Sequence, residues 1–105
     1  MGFVIGQILD HLAVWGRTVH PCFLHTSDRY EIDLVLDFGT SLWAIEAKLT
    51  ANPSLGDIRR LNKVADLIGA RQRVLVARVR ESLESEGLLV THLPGLLDAL
   101  RERGR

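Results

Sequence analysis

The segment Leu42-Trp43-Ala44-Ile45-Glu46-Ala47-Lys48-Leu49 limits what this chain can fold into more than any other stretch. It reads as a buried strand, yet it carries two full charges at alternate positions. Successive side chains of a strand point to opposite faces, so Glu46 and Lys48 share a face with Leu42 and Ala44, while Trp43 lies on the other. Burying a charge is costly unless it is paired or bound to a metal. Something must therefore compensate Glu46 and Lys48.

The preceding residues supply a partner strand. Glu31-Ile32-Asp33-Leu34-Val35-Leu36-Asp37 alternates acidic and apolar residues as far as Val35, and the turn set Phe38-Gly39-Thr40-Ser41 separates it from the charged strand, which is a β-hairpin signal. Asp33 shares a face with Glu31 and Val35, and an ordinary hairpin register brings it beside Glu46 and Lys48. Two carboxylates and an ammonium would then converge. Hard oxygen ligands of this kind hold Mg²⁺, which takes one or two carboxylates, keeps waters and accepts phosphate oxygens. The metal would polarise a phosphoryl oxygen and activate water, and the lysine would orient or deprotonate that water or stabilise charge on the phosphate. The pattern alone is equally consistent with a solvated or mutually paired hairpin face. Both readings stay open at this point.

The rest of the chain arranges helices around this hairpin. Val4, Ile8, Leu12 and Trp15 recur at helical spacing before Gly16, predicting a first amphipathic helix that also carries Gln7 and Asp10. Cys22-Phe23-Leu24, following Pro21, reads as an edge strand, because proline is poorly tolerated in central ones. After the hairpin, Ser54 is a plausible helix cap with Asp57 in the first turn, and Ile58, Leu61, Ala65 and Ile68 form one apolar face before Gly69. Arg59, Arg60 and Lys63 lie on the other face, with Arg71 and Arg73 assigned to the end of the same helix. Val74-Leu75-Val76-Ala77 is a continuous apolar run, as in a central strand covered on both faces. Residues 81–87 read as a polar connection with room for a helical turn. Leu88 to Leu93 gives a last strand, and Pro94 opens a final helix carrying Leu96, Leu97 and Leu100. The expected class is α/β (α+β), in the order αβββαββα, with a mixed central sheet flanked by helices.

At 105 residues the chain is one domain, 1–105, with one modest core. Thirteen Lys and Arg against thirteen Asp and Glu give zero formal charge, which argues against a protein that coats nucleic acid through excess positive charge but leaves room for a local basic patch. Arg59, Arg60 and Lys63 are the candidates for that patch; a solvated helix face is the plainer reading. Cys22 stands alone, so no intrachain disulfide is expected. With no membrane-length apolar run and no signal-peptide pattern at the start, the expected location is cytoplasmic. His11, His20, His25 and His92 lack metal-ligand spacing. Trp15 and Trp43 are expected in the core, and Arg101, Arg103 and Arg105 are expected to complement the negative end of the last helix.

Asp33, followed twelve residues later by Ile45-Glu46-Ala47-Lys48, resembles the core signature of the PD-(D/E)XK nuclease-like superfamily. The words Phe23-Leu24-His25-Thr26, Tyr30-Glu31-Ile32-Asp33-Leu34-Val35-Leu36, Trp43-Ala44-Ile45-Glu46-Ala47-Lys48 and Pro53-Ser54-Leu55-Gly56-Asp57-Ile58-Arg59-Arg60-Leu61 narrow this to the uncharacterised C-terminal domain of prokaryotic AAA-type ATPases. The resemblance covers nearly the whole chain. It implies a restriction-endonuclease-like core and a metal site in which Asp33, Glu46 and the main-chain carbonyl of Ala47 hold Mg²⁺, with Mn²⁺ as a substitute. It also implies that Lys48 positions the nucleophilic water, with Gln7 standing where many members carry a first-helix acid. His25 occupies a position where the ATPase-linked domains often show arginine. No Gly-rich phosphate loop is present in the sequence.

Two functions follow from this resemblance. One is a Mg²⁺-dependent nuclease-type domain, a candidate endonuclease acting on DNA phosphodiesters, whose affinity for nucleic acid is weak when it acts alone. The other is a catalytically weak or silent nuclease-like interaction module, an accessory domain of an ATPase or a dimerising protein. A homodimer through strand edges is a weaker expectation.

Overall fold

The computed structural model describes the backbone of residues 2–26, 30–48 and 50–103, and the side chains of these residues except at 2–5, 23–26 and 30–33. The elements in chain order are α1 (Gly2–Val14), β1 (His20–Thr26), β2 (Tyr30–Asp37), β3 (Leu42–Ala47), α2 (Leu55–Ile68), β4 (Gln72–Val76), β5 (Leu83–Ser85), β6 (Leu88–Thr91) and α3 (Leu93–Arg103). Among the described residues the strands form one mixed sheet in the order β1-β2-β3-β4-β6-β5. β1, β2 and β3 make an antiparallel meander, β4 and β6 run parallel to β3, and β5 returns antiparallel at the far edge. As Pro21 requires, β1 is an edge.

The alternation seen in the sequence sorts the core onto two faces. Leu34, Leu36, Trp43, Ile45, Val74 and Val76 pack on one side against Ile8 and Leu12 of α1 and Leu96 and Leu100 of α3. Val35, Ala44, Leu75 and Val90 pack on the other, beneath Leu61, Val64 and Ala65 of α2. β4 lies in the middle with both faces covered, and Val74 and Leu75 are fully buried, which is why this strand shows no alternation. Each buried Val or Leu contributes about 1.5–3 kcal/mol relative to leaving it exposed. The half-buried Trp15 stacks edge-on to His11 with ring centres 5.5 Å apart, and Phe38 meets the buried Trp43 in the same way at 6.2 Å.

Helix ends follow local chemistry. Ser54 caps α2 through its hydroxyl, which accepts from the Asp57 N–H at 3.1 Å, and Asp57 Oδ2 accepts from the Ser54 N–H at 2.9 Å, a complete capping box. His92 caps α3, its Nδ1 accepting from the Gly95 N–H at 3.0 Å. That assignment fixes the proton of the neutral ring on Nε2.

Several expectations need correction. Residues 81–87 hold β5 rather than a helical turn, so the order is αβββαβββα; Leu83 and Ser85 oppose Val90 and Leu88 of β6 and extend the sheet by one short edge strand. The final helix begins at Leu93, one residue before Pro94. Arg71 and Arg73 lie beyond α2. Arg73 sits on β4 and clamps the end of that helix, with NH2 2.6 Å from Asp66 Oδ1 and NH1 3.0 Å from Asn62 Oδ1. At the other end of the chain, Arg103 reaches Glu84 at 2.8 Å, and the carbonyls of Leu100 and Arg101 at the negative end of α3 are met by Arg17 instead. Arg105 and the side chain of Val4 lie outside the described residues. No described helix is long and apolar enough to cross a membrane.

Candidate functional site

β3 carries the site to the carboxyl end of the parallel strands, where ligands bind in open α/β sheets. Glu46 and Lys48 follow Ala44 on the face covered by α2, and Trp43, Ile45 and Ala47 point to the opposite core, as the alternation requires. Glu46 is only 5% exposed. Lys48 continues the ladder past the end of β3, its N–H donating to the Val76 carbonyl at 2.8 Å. The antiparallel register pairs Leu34 with Ile45 and Val35 with Ala44. The described pairing ends at Leu34–Ile45, and the β1–β2 register shifts at the same place, between the Cys22–Val35 and Leu24–Ile32 pairs. The Asp33 side chain lies outside the described residues, as does that of His25.

The group that meets the two β3 charges comes from α2. Lys48 Nζ lies 3.8 Å from Glu46 Oε1 and 3.7 Å from Asp57 Oδ1. The same Asp57 oxygen accepts from Arg60 NH2 at 2.5 Å. Sequence reasoning gave Asp57 only a place in the first turn of a helix. The short link from β3 to α2 folds that turn back over the strand end, and no spacing rule in the sequence shows the resulting contact with Lys48.

The Ser54 main-chain N–H is the largest influence on Asp57 and holds its carboxyl below the ordinary carboxylate range; partial burial opposes this, and Lys48, the Ser54 hydroxyl and Arg60 add to the lowering. A carboxyl lowered on folding stabilises the fold fully above its unfolded value of 3.8 and ceases to do so as the pH falls through its lower folded value. The melting temperatures of the wild type and Asp57→Asn are therefore expected to converge as the pH drops below about 4. A difference that stays constant from pH 6 to pH 2 would contradict this assignment.

The other candidate residues are placed as follows. Gln7 is half-buried on α1, which packs on the sheet face opposite Glu46, and its carbonyl lies 2.7 Å from His11 Nδ1. Arg59 and Lys63 are exposed on the outer side of α2, while Arg60 turns toward Asp57. Arg71 and Arg73 follow α2 in the chain, and Arg73 is turned back onto Asn62 and Asp66 of that helix. Among the described residues, no group of three or more His, Cys, Asp and Glu is placed to hold a metal ion. The buried Glu46 carboxylate is a hard oxygen donor of the kind Mg²⁺ takes.

Among the described residues the chain is thus an α/β fold, a six-stranded mixed sheet opened by an antiparallel meander, with helices on both faces and the Glu46–Lys48 pair at the end of its third strand. The chain belongs to the family described as "Domain of unknown function (DUF4143)", which matches residues 2–96. This is the domain attached C-terminally to AAA-type ATPases, the group that the sequence resembles. No curated protein matches the chain. Among solved structures it is similar to Hjc, a Holliday junction resolvase of the archaeal hyperthermophile Archaeoglobus fulgidus, with a TM-score of 0.48 and 18% identity over 75% of this chain and 81% of that one.

Proposed function

We propose that this domain is a Mg²⁺-dependent nuclease that hydrolyses DNA phosphodiesters. The observation that carries this reading is the buried Glu46 carboxylate beside the Lys48 ammonium at the carboxyl end of β3. Asp33, Glu46 and the Ala47 carbonyl would hold Mg²⁺, or Mn²⁺ in its place. When bound, such an ion supplies Lewis-acid polarisation of a phosphoryl oxygen and a more acidic water. Lys48 orients the attacking water and stabilises negative charge growing on the phosphate. Gln7, on the helix that covers the opposite sheet face, is given no part in this reading. Arg59, Arg60 and Lys63 supply the local positive charge along which a nucleic-acid backbone would lie. With no net charge to add affinity, the domain binds DNA weakly by itself and gains from a partner subunit.

Metal-dependent melting and cleavage test this together. An ion that binds only the folded state stabilises it by about 2.7 kcal/mol at a hundredfold excess over Kd, which is more than about 10 °C in a domain of this size. Mg²⁺ or Mn²⁺ is expected to raise the melting temperature of the wild type, EDTA to reverse the rise, and Glu46→Gln to abolish it. Supercoiled plasmid and branched or single-stranded oligonucleotides are expected to be cut only with the metal present. Neither shift nor cleavage on any of these would overturn the nuclease reading and favour an interaction module, as an accessory domain of an ATPase or as a dimerising protein.

A further inference from the structure

We infer that Asp57 is a positioning residue for Lys48, suspending its ammonium between two carboxylates instead of letting it close onto Glu46. This rests on the nuclease reading above for its catalytic consequence, and on geometry for the rest. Lys48 Nζ stands 3.8 Å from Glu46 Oε1 and 3.7 Å from Asp57 Oδ1. Both distances exceed the roughly 2.7–2.9 Å of a closed ammonium–carboxylate hydrogen bond. A lysine facing one buried carboxylate at the end of a flexible four-carbon stem would be drawn onto it, covering an oxygen that a metal needs. The second acid, at nearly equal distance, balances that pull and leaves the ammonium facing the space between the strand end and α2.

Asp57 divides its two oxygens between two tasks. Oδ2 accepts from the Ser54 N–H at 2.9 Å and completes the helix cap, while Oδ1 faces Lys48 and takes Arg60 NH2 at 2.5 Å. Arg60 in turn holds the carboxylate oxygen that faces Lys48. This division makes the two roles separable by mutation. Asparagine keeps an oxygen for the Ser54 N–H but removes the counter-charge, whereas Ser54→Ala removes the hydroxyl that accepts from the Asp57 N–H and leaves the Asp57 carboxylate in place.

The test compares wild type, Asp57→Asn and Ser54→Ala in two measurements. The first follows the Lys48 side-chain ammonium by NMR in ¹⁵N-lysine-labelled protein, with Lys48→Arg identifying the signal. The second measures kcat and KM for cleavage of supercoiled plasmid with saturating Mg²⁺ or Mn²⁺. In Asp57→Asn the ammonium signal is expected to shift and kcat to fall at least tenfold with KM little changed. Ser54→Ala is expected to melt lower but to keep both the signal and kcat. An unchanged ammonium signal in Asp57→Asn overturns the proposal, and so does an equal loss of kcat in Ser54→Ala, which would make the cap alone responsible. If the wild type does not cut at all, the nuclease reading fails, and the ammonium signal by itself still decides whether Asp57 holds Lys48.

Discussion

Lys48→Ala is expected to lower metal-dependent cleavage by about 10²–10⁴-fold, the range contributed by a positioned proton-transfer group, while leaving the metal-induced rise in melting temperature in place. Lys48 is not a ligand in the proposed site; it acts on the water and the phosphate. Glu46→Gln is expected to lose both cleavage and the rise, since it removes the described carboxylate of the donor set. Without metal, Lys48→Ala also melts below the wild type, because Glu46 is 5% exposed and loses a cation 3.8 Å away. Adding Mg²⁺ narrows that gap, the divalent ion supplying the missing positive charge. Full cleavage by Lys48→Ala would remove the lysine from the mechanism, and loss of the metal response would show that the ammonium builds the site rather than serving it.

Gly87→Ala should cost about 2–3 kcal/mol, a large loss for one methyl group. The residue adopts φ +80° at the β5–β6 turn, and a Cβ built there falls 2.6 Å from the Arg71 carbonyl oxygen. Left-handed backbone costs an L-residue about 1–2 kcal/mol, and the contact with a main-chain atom adds to this because a backbone cannot rotate aside. The Gly87 carbonyl also accepts from the Arg73 N–H at 2.8 Å, so a shifted turn would disturb the start of the central strand. Thermal melting checks it against Gly39→Ala, where φ is +86° but nothing lies within 4 Å of the added carbon. Equal losses at the two sites would show that the approach of Arg71 does not matter.

The elements that pattern alone revealed are those whose environment is set by their own residues. The turn at Gly39, the Ser54 cap, the buried run at Val74 and the Pro21 edge strand each carry a local reason for their structure, and all four are present. β5 was not legible because its three residues are exposed and are held by pairing with β6 and by the Arg103–Glu84 contact, both nonlocal causes. Pairing across the chain likewise hid the roles of Arg17 and Arg73, whose partners lie on elements that the sequence does not place beside them. At the site, the strand face shared by Glu46 and Lys48 followed from alternation. Asp57 did not follow, because its link to Lys48 depends on the path of the chain between Ala47 and Leu55.

The main chain at Lys48 belongs to the same hydrogen-bond ladder as β4, whose neighbours in turn hold Ala77 to Thr91 and Arg78 to Thr50. The proposed reacting group is thus rooted in the central hydrogen-bond ladder of the sheet, whereas the residues above it, from Thr50 to Leu55, come from a short surface crossing. Such a division separates two evolutionary freedoms. Descendants of this domain can exchange, lengthen or recharge the crossing to suit another nucleic-acid shape or another protein neighbour without moving Glu46 or Lys48, so diversity among relatives should concentrate there while the strand end stays constant.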